Sequence, residues 1–202
     1  MKLMKRIIFI ATLVCILGLS LHAAVFQFTL DMDGTQAFGT STGTGGDLHQ
    51  NDPADFPMIS YDTGLHELRI PIGWGSANGF NDLEGTMSVS SPPILHGPAL
   101  AGANASGLYT LQPFTIQNVH AGSLDLTLTL HDDPNGPYTL SQQESDLQAG
   151  LWYVTVATGD FGSPEIRGQL APVPEPKEYA MAAGIALLGF GIYRRYKLSI
   201  RY

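Results

Sequence analysis

Leucines at 124, 126, 128 and 130 alternate with Asp125, Thr127 and Thr129. Successive residues of a strand point to opposite faces, so this spacing puts the four leucines on one face and the polar side chains on the other. Wound into a helix, the same residues would be spread around the whole circumference. The segment therefore asks for an antiparallel sheet with one face on a core and one in water.

The rest of the stretch 25–170 reads the same way, as short apolar-alternating runs set between clusters of Gly, Pro, Asn and Asp. Strands are expected at 25–30, 65–72, 83–89, 108–116, 124–130, 151–157 and 165–170. That number of strands in this length predicts an all-β fold: an antiparallel β-sandwich, Ig-like or superoxide dismutase-like Greek key, with one short helix. The helix is expected where Ser141 and Glu144 have capping-box spacing, closing at Gly150. Residues 34–46, nearly all Gly, Thr and Ser, are expected to form a loop. Trp152, Val154 and Val156 should share a core face, opposite Tyr153. Trp74, in a Gly-rich setting, is expected to be buried against the edge of the sandwich, with exposure to a sugar ligand as the alternative.

Charge is segregated. Between residues 7 and 176 there are 17 acids against two bases, Arg69 and Arg167, a formal charge of −15. Self-repulsion of that size favours solubility and excludes nucleic acid and anionic lipid as partners of this stretch. The remaining bases sit at the two ends. The sole cysteine, Cys15, lies in the first apolar run and would leave with it, so no disulfide or thiolate is expected in the folded part.

Lys2, Lys5 and Arg6 precede an apolar run over 7–21, and Ala23 and Ala24 follow. That is the order of a secretory signal, with residues 1–23 as signal helix, cleavage between Ala23 and Ala24, and Sec-type export machinery as partner. At the other end, residues 171–178 read as a linker containing Pro174, Glu175 and Pro176. An apolar run over 179–193 and a basic segment, 194–202, with Arg194, Arg195 and Lys197 at its start, follow. As a helix the run spans ~22 Å against a hydrocarbon core of ~30 Å, a difference that flanking Tyr and Arg cover by snorkelling. The basic cluster acts as the topology stop, staying cytoplasmic and leaving the acidic domain across the membrane.

The tripeptide Pro174-Glu175-Pro176, the short apolar helix and the closing basic cluster together resemble the PEP-CTERM sorting signal of Gram-negative bacteria. The resemblance implies an exosortase-like membrane protease as partner, removal of the tail, and delivery to the cell surface or extracellular matrix. A permanently anchored inner-membrane protein with a periplasmic domain is the competing topology.

Within 24–170, residues 147–170 (LQAGLWYVTVATGDFGSPEIRGQL), the turn Leu95-His96-Gly97-Pro98-Ala99 and the opening run Phe26-Gln27-Phe28-Thr29-Leu30 resemble the CHRD domain. The motif residues are His96, Gly97, Pro98, Glu165, Arg167 and Gly168. The resemblance implies a β-sandwich in an extracellular setting; it does not imply a reaction. In that family further histidines often stand near the turn and on the late strand; here those places hold Ile94 and Ala157, and Pro164 replaces the usual Gly. No metal site and no cofactor are therefore expected.

Other candidate chemistry is sparse. Gly39-Thr40-Ser41-Thr42-Gly43 spells a nucleophile elbow, a motif that works only on a strand-to-helix turn. Asp31-Met32-Asp33-Gly34 and Asp132-Asp133-Pro134-Asn135-Gly136 gather oxygens at turns without completing a calcium loop. Glu165 and Arg167, two apart on a strand and hence on one face, are expected to serve a cross-strand or internal ion pair that fixes the last strand, with a recognition arginine for an acidic ligand as the alternative. The histidines at 49, 66, 120 and 131 are expected at the surface. The expected molecule is non-catalytic and binds or structures its surroundings; a metal-dependent or hydrolytic periplasmic enzyme is the alternative.

Overall fold

The computed structural model describes residues 24–37, 41–133, 138–161 and 164–174, together with residues 183, 184, 186, 187, 189 and 190 of the tail. Ala23, Glu175, Pro176, Arg194, Arg195 and Lys197 lie outside the described residues, as do the signal segment and most of the apolar run. Among the described residues no helix is long and apolar enough to cross a membrane.

The fold is all-β. Among the described residues ten strands form one antiparallel sheet: β1 (Val25–Asp33), β2 (Thr44–Asp47), β3 (Ile59–Asp62), β4 (Glu67–Trp74), β5 (Ile94–His96), β6 (Gly107–Thr110), β7 (Thr115–Asn118), β8 (Ala121–Thr129), β9 (Tyr153–Val156) and β10 (Ile166–Val173). Their spatial order is β6-β5-β9-β10-β1-β2-β4-β8-β7, and β3 also pairs with both β1 and β4. β2 and β3 thus share one slot: β1 pairs with β3 through Val25–Phe28 and with β2 through Asp31–Asp33. The chain leaves that slot over residues 48–58, where a short helix, α1 (Leu48–Asn51), begins. On β4 the interruption falls at Pro71, between Ile72 opposite Asp47 and Arg69 opposite Ser60. A residue with no N–H to donate sits where one ladder is broken.

One core runs through the whole sheet. Phe28, Leu30 and Met32 from β1, Leu68, Ile70, Ile72 and Trp74 from β4, Leu124 and Leu126 from β8, and Val154, Val156, Ile166 and Leu170 from β9 and β10 are all buried in it. For strands so far apart in the sheet order to share a core, the sheet has to curl over itself. The leucine ladder on β8 behaves as its period requires, with Leu124, Leu126 and Leu130 buried and Asp125, Thr127 and Thr129 exposed. Trp74 is fully buried and gives its indole N–H to the Met87 sulfur at 2.8 Å.

Five expectations need correction. Residues 83–89 form no strand, because their backbone N–H groups go to scattered acceptors instead of a neighbouring ladder: Leu83 and Met87 donate to the carbonyls of His120 and Val119, Glu84 and Gly85 to the Glu165 carboxylate, and Thr86 to Asp160. The run 108–116 is split into β6 and β7 around Gln112-Pro113, a cis peptide. Part of the Gly/Thr stretch is strand: β2 supplies Gly45 and Gly46, whose missing Cβ atoms allow Gly73 O and Leu30 O to lie within 2.8 and 2.5 Å of where a Cβ would stand. The expected helix is present as α2 (Leu140–Gln148), with a different start. Thr139 is its N-cap, accepting from the Gln142 N–H, while Glu144 turns away to Tyr61 and His66. β10 also continues past residue 170, so Ala171–Val173 pair with β1.

Candidate functional site

β5, β9 and β10 lie side by side, and register decides what their non-core face carries. His96 is opposite Tyr153, and Arg167 is opposite Thr155. Because Leu95, Val154, Ile166 and Leu170 point into the core, the alternate residues His96, Tyr153, Thr155 and Arg167 all emerge on the other side. Each of these four is shielded from water: Tyr153 is 2 % exposed, Arg167 3 % and Thr155 5 %, with His96 half-buried. The loop after β5 lies over them, and its Ala105 N–H donates to the Tyr153 hydroxyl at 2.8 Å.

The Tyr153 ring is the hub. His96 stacks on it with centroids 4.7 Å apart and planes 3° from parallel, and the Arg167 guanidinium carbon lies 3.5 Å from its centroid. His96 comes from β5 and Arg167 from β10, the strands flanking β9, so the ring stands between imidazole and guanidinium. The latter contact is a cation–π interaction in a place with little competing water. His96 Nδ1 is 3.2 Å from the Ala105 carbonyl, which can only accept, so Nδ1 carries the proton; Nε2 then accepts from the Thr155 hydroxyl at 2.9 Å. Burial, together with the nearby Arg167 charge, holds the imidazole below its ordinary pKa against the opposing pull of the Ala105 carbonyl. It is a neutral ring at pH 7.

Beside this cluster is a cavity of about 390 Å³, whose lining includes Arg167, Asn104, Thr155 and His96 together with Ala37 and Pro164. Arg167 donates from Nη1 to the Asn104 side-chain oxygen at 3.4 Å; its Nη2 is buried with no hydrogen-bond partner among the described residues. Burial lowers the pKa of this guanidinium, yet an arginine keeps its proton in any protein setting.

Glu165 does not pair with Arg167, contrary to the sequence expectation. Glu165 precedes β10, is fully buried, and both carboxylate oxygens are taken. Oε1 accepts from the Ser41 hydroxyl at 2.7 Å and the Glu84 N–H at 2.6 Å; Oε2 accepts from the Thr158 hydroxyl at 2.7 Å and the Gly85 N–H at 3.0 Å. This carboxylate ties residues 41–43 and the strap 83–87 to the end of the sheet. Ser41 is thereby accounted for: its hydroxyl donates to Glu165, its oxygen accepts from the Gly43 N–H, and the chain goes on into β2, not into the helix that an elbow needs.

Of the other motif residues, Gly97 and Gly168 are sites of close approach. A Cβ on Gly97 would stand 2.5 Å from the Trp152 ring, and one on Gly168 2.4 Å from the Asp31 carbonyl oxygen. Pro98 follows Gly97 through a cis peptide. Asp33 closes its own turn, accepting from Thr35 and Gln36; burial would raise its pKa, but these hydrogen bonds outweigh it and leave the carboxyl below the ordinary value. His66 is not a free surface histidine: its Nδ1 lies 2.9 Å from Glu144. Among the described residues no group of three or more His, Cys, Asp or Glu side chains is placed to hold a metal ion.

Sequence reasoning picked out His96 and Arg167 but missed Tyr153, Thr155 and Asn104 as their company. Tyr153 and Thr155 had a signal, their i, i+2 spacing on the non-core face of β9. Asn104 had none, because a loop position shows no period. No protein-family model, curated protein or solved structure matches this chain.

Proposed function

We propose that the chain is the precursor of an exported, non-catalytic protein of the cell surface or extracellular matrix of a Gram-negative bacterium. Sec-type machinery carries it across the membrane and the signal is removed between Ala23 and Ala24. The run 179–193 then holds it in the bilayer, stopped by Arg194, Arg195 and Lys197, until an exosortase-like protease acts at Pro174-Glu175-Pro176. The domain is read as a CHRD-like β-sandwich that acts by binding or by structural presence.

The observation that carries this reading is the order of tripeptide, apolar run and basic cluster after an acidic domain. The boundaries of the fold support it. Ala24 is already tied in, exchanging hydrogen bonds with Thr63, and β10 ends at Val173, directly before the tripeptide. In the tail, Leu187 and Phe190 are 71 % and 62 % exposed, side chains that a bilayer would cover. A single sheet curled over one core supports the sandwich-like reading. Mass spectrometry of both termini in surface and membrane fractions tests the proposal. An N-terminus at Ala24 and a surface form lacking the tail are expected, whereas surface protein that retains Tyr202 overturns the sorting step.

A further inference from the structure

A buried arginine normally faces a carboxylate, because an unpaired charge in a low-dielectric setting is costly. Arg167 has none. Its nearest acid in sequence, Glu165, is fully committed elsewhere, and its own contacts are a ring face and one amide oxygen at 3.4 Å. In a stretch with 17 acids and two bases, a cation left without an acid is not a matter of supply. The unpartnered Nη2 belongs to a side chain that lines a cavity of about 390 Å³, within the size range of small-molecule sites.

From this we infer that the cavity binds a small organic acid, its carboxylate on the Arg167 guanidinium and its apolar body against Ala37, Ala105 and Pro164. The inference rests on reading the domain as a binding module. The guanidinium fork matches the planar geometry of a carboxylate. A monoanion is the right charge: His96 is neutral and spends its one N–H on Ala105, so Arg167 is the single cation among the described residues that line the cavity. A phosphate dianion would bring a second charge with nothing to meet it, inside a domain whose formal charge is strongly negative. The long Asn104 contact holds the guanidinium only weakly, so that a turn in its plane over Tyr153 brings Nη2 toward a ligand.

Calorimetric titration of the full chain in non-ionic detergent tests this, with benzoate and propionate as probes and benzamide and inorganic phosphate as comparisons. Benzoate is expected to saturate one site per chain and to bind at least about tenfold more tightly than benzamide, which lacks the charge. Arg167→Gln should lose that binding at least tenfold. Asn104→Asp, on the exposed loop, places a carboxylate of the protein's own beside Nη1; it should abolish benzoate binding while raising the melting temperature, a result that does not depend on the arginine variant folding. The inference is overturned by the absence of saturation with either acid, by equal binding of benzamide, by preference for phosphate, or by wild-type affinity in Asn104→Asp. None of these outcomes bears on export and sorting, which are read from the termini.

Discussion

Glu165 and Arg167 stand two residues apart and resolve the cost of a buried charge in different ways. The glutamate has four hydrogen-bond donors, two on each oxygen, and each oxygen faces one backbone N–H, from Glu84 or Gly85. That arrangement makes its replacement predictable. Glutamine has one oxygen and one NH₂, so either orientation of the amide sets a donor against a backbone donor. Glu165→Gln is therefore expected to destabilise by ~2 kcal/mol, and Glu165→Ala, which orphans all four donors, by ~3 kcal/mol or more. Urea unfolding measures both, and a loss under half a kilocalorie in the glutamine variant would mean that the strap 83–87 is held by its apolar anchors, Leu83 and Met87, and not by the carboxylate. The arginine makes the reverse prediction, since its unmet Nη2 gains from any acid brought within reach.

At the scale of the element, α2 shows how much a helix depends on its ends. Thr139 accepts from the Gln142 N–H at the start. At the finish the Gly150 N–H bonds to the Leu147 carbonyl and the Leu151 N–H to the Asp146 carbonyl, a Schellman pair with Gly150 in the left-handed region at φ +71°. Inside the helix, Leu147 is fully buried, and Gln143 donates to the His131 and Tyr138 carbonyls while accepting from the Tyr109 hydroxyl. Thr139→Ala is expected to cost ~1 kcal/mol. Gly150→Ala should cost ~1–2 kcal/mol, with Gly150→Asn costing less, because asparagine tolerates the left-handed region. Denaturation midpoints of the three variants check the ranking; an alanine at 150 no worse than asparagine would remove the backbone argument. The same helix shows what a sequence can and cannot declare. Its end was legible, since a glycine after the last turn has a local cause. Its start was not, because both Ser141 with Glu144 and Thr139 with Gln142 spell a capping box, and the choice is made by Tyr61 and His66 drawing Glu144 across from another part of the chain. The β8 leucines were legible because period two is written within one strand. The strap 83–87, the anchoring of Ser41 and the Asn104 contact of Arg167 were not, because their partners stand 81, 124 and 63 residues away along the chain.

For the molecule as a whole, the distribution of charge sets a response to salt. With 17 acids against two bases between residues 7 and 176, most carboxylates have no basic side chain to meet; among the described residues Arg69 pairs with Asp125, and His66 lies 2.9 Å from Glu144, a contact that is ionic only with the imidazole protonated. Both are partly exposed, so each contributes no more than ~1 kcal/mol, and screening takes little from the fold. Screening does relieve the repulsion among the rest. The Debye length falls from ~30 Å at 0.01 M to ~3 Å at 1 M, from about the span of a domain to less than the distance between most neighbouring charges. Raising sodium chloride across that range at pH 7 is therefore expected to stabilise the domain by on the order of 1 kcal/mol, or ~2–4 °C in melting temperature for a chain of this size. Chloride is the proper anion for the test, since sulfate strengthens apolar burial in any protein and would mimic the effect. A melting temperature that falls with sodium chloride would place the balance in local ion pairs and remove self-repulsion as the reason for so lopsided a composition. A rise fits a domain that stays apart from its own copies in dilute surroundings and tightens as counterions gather.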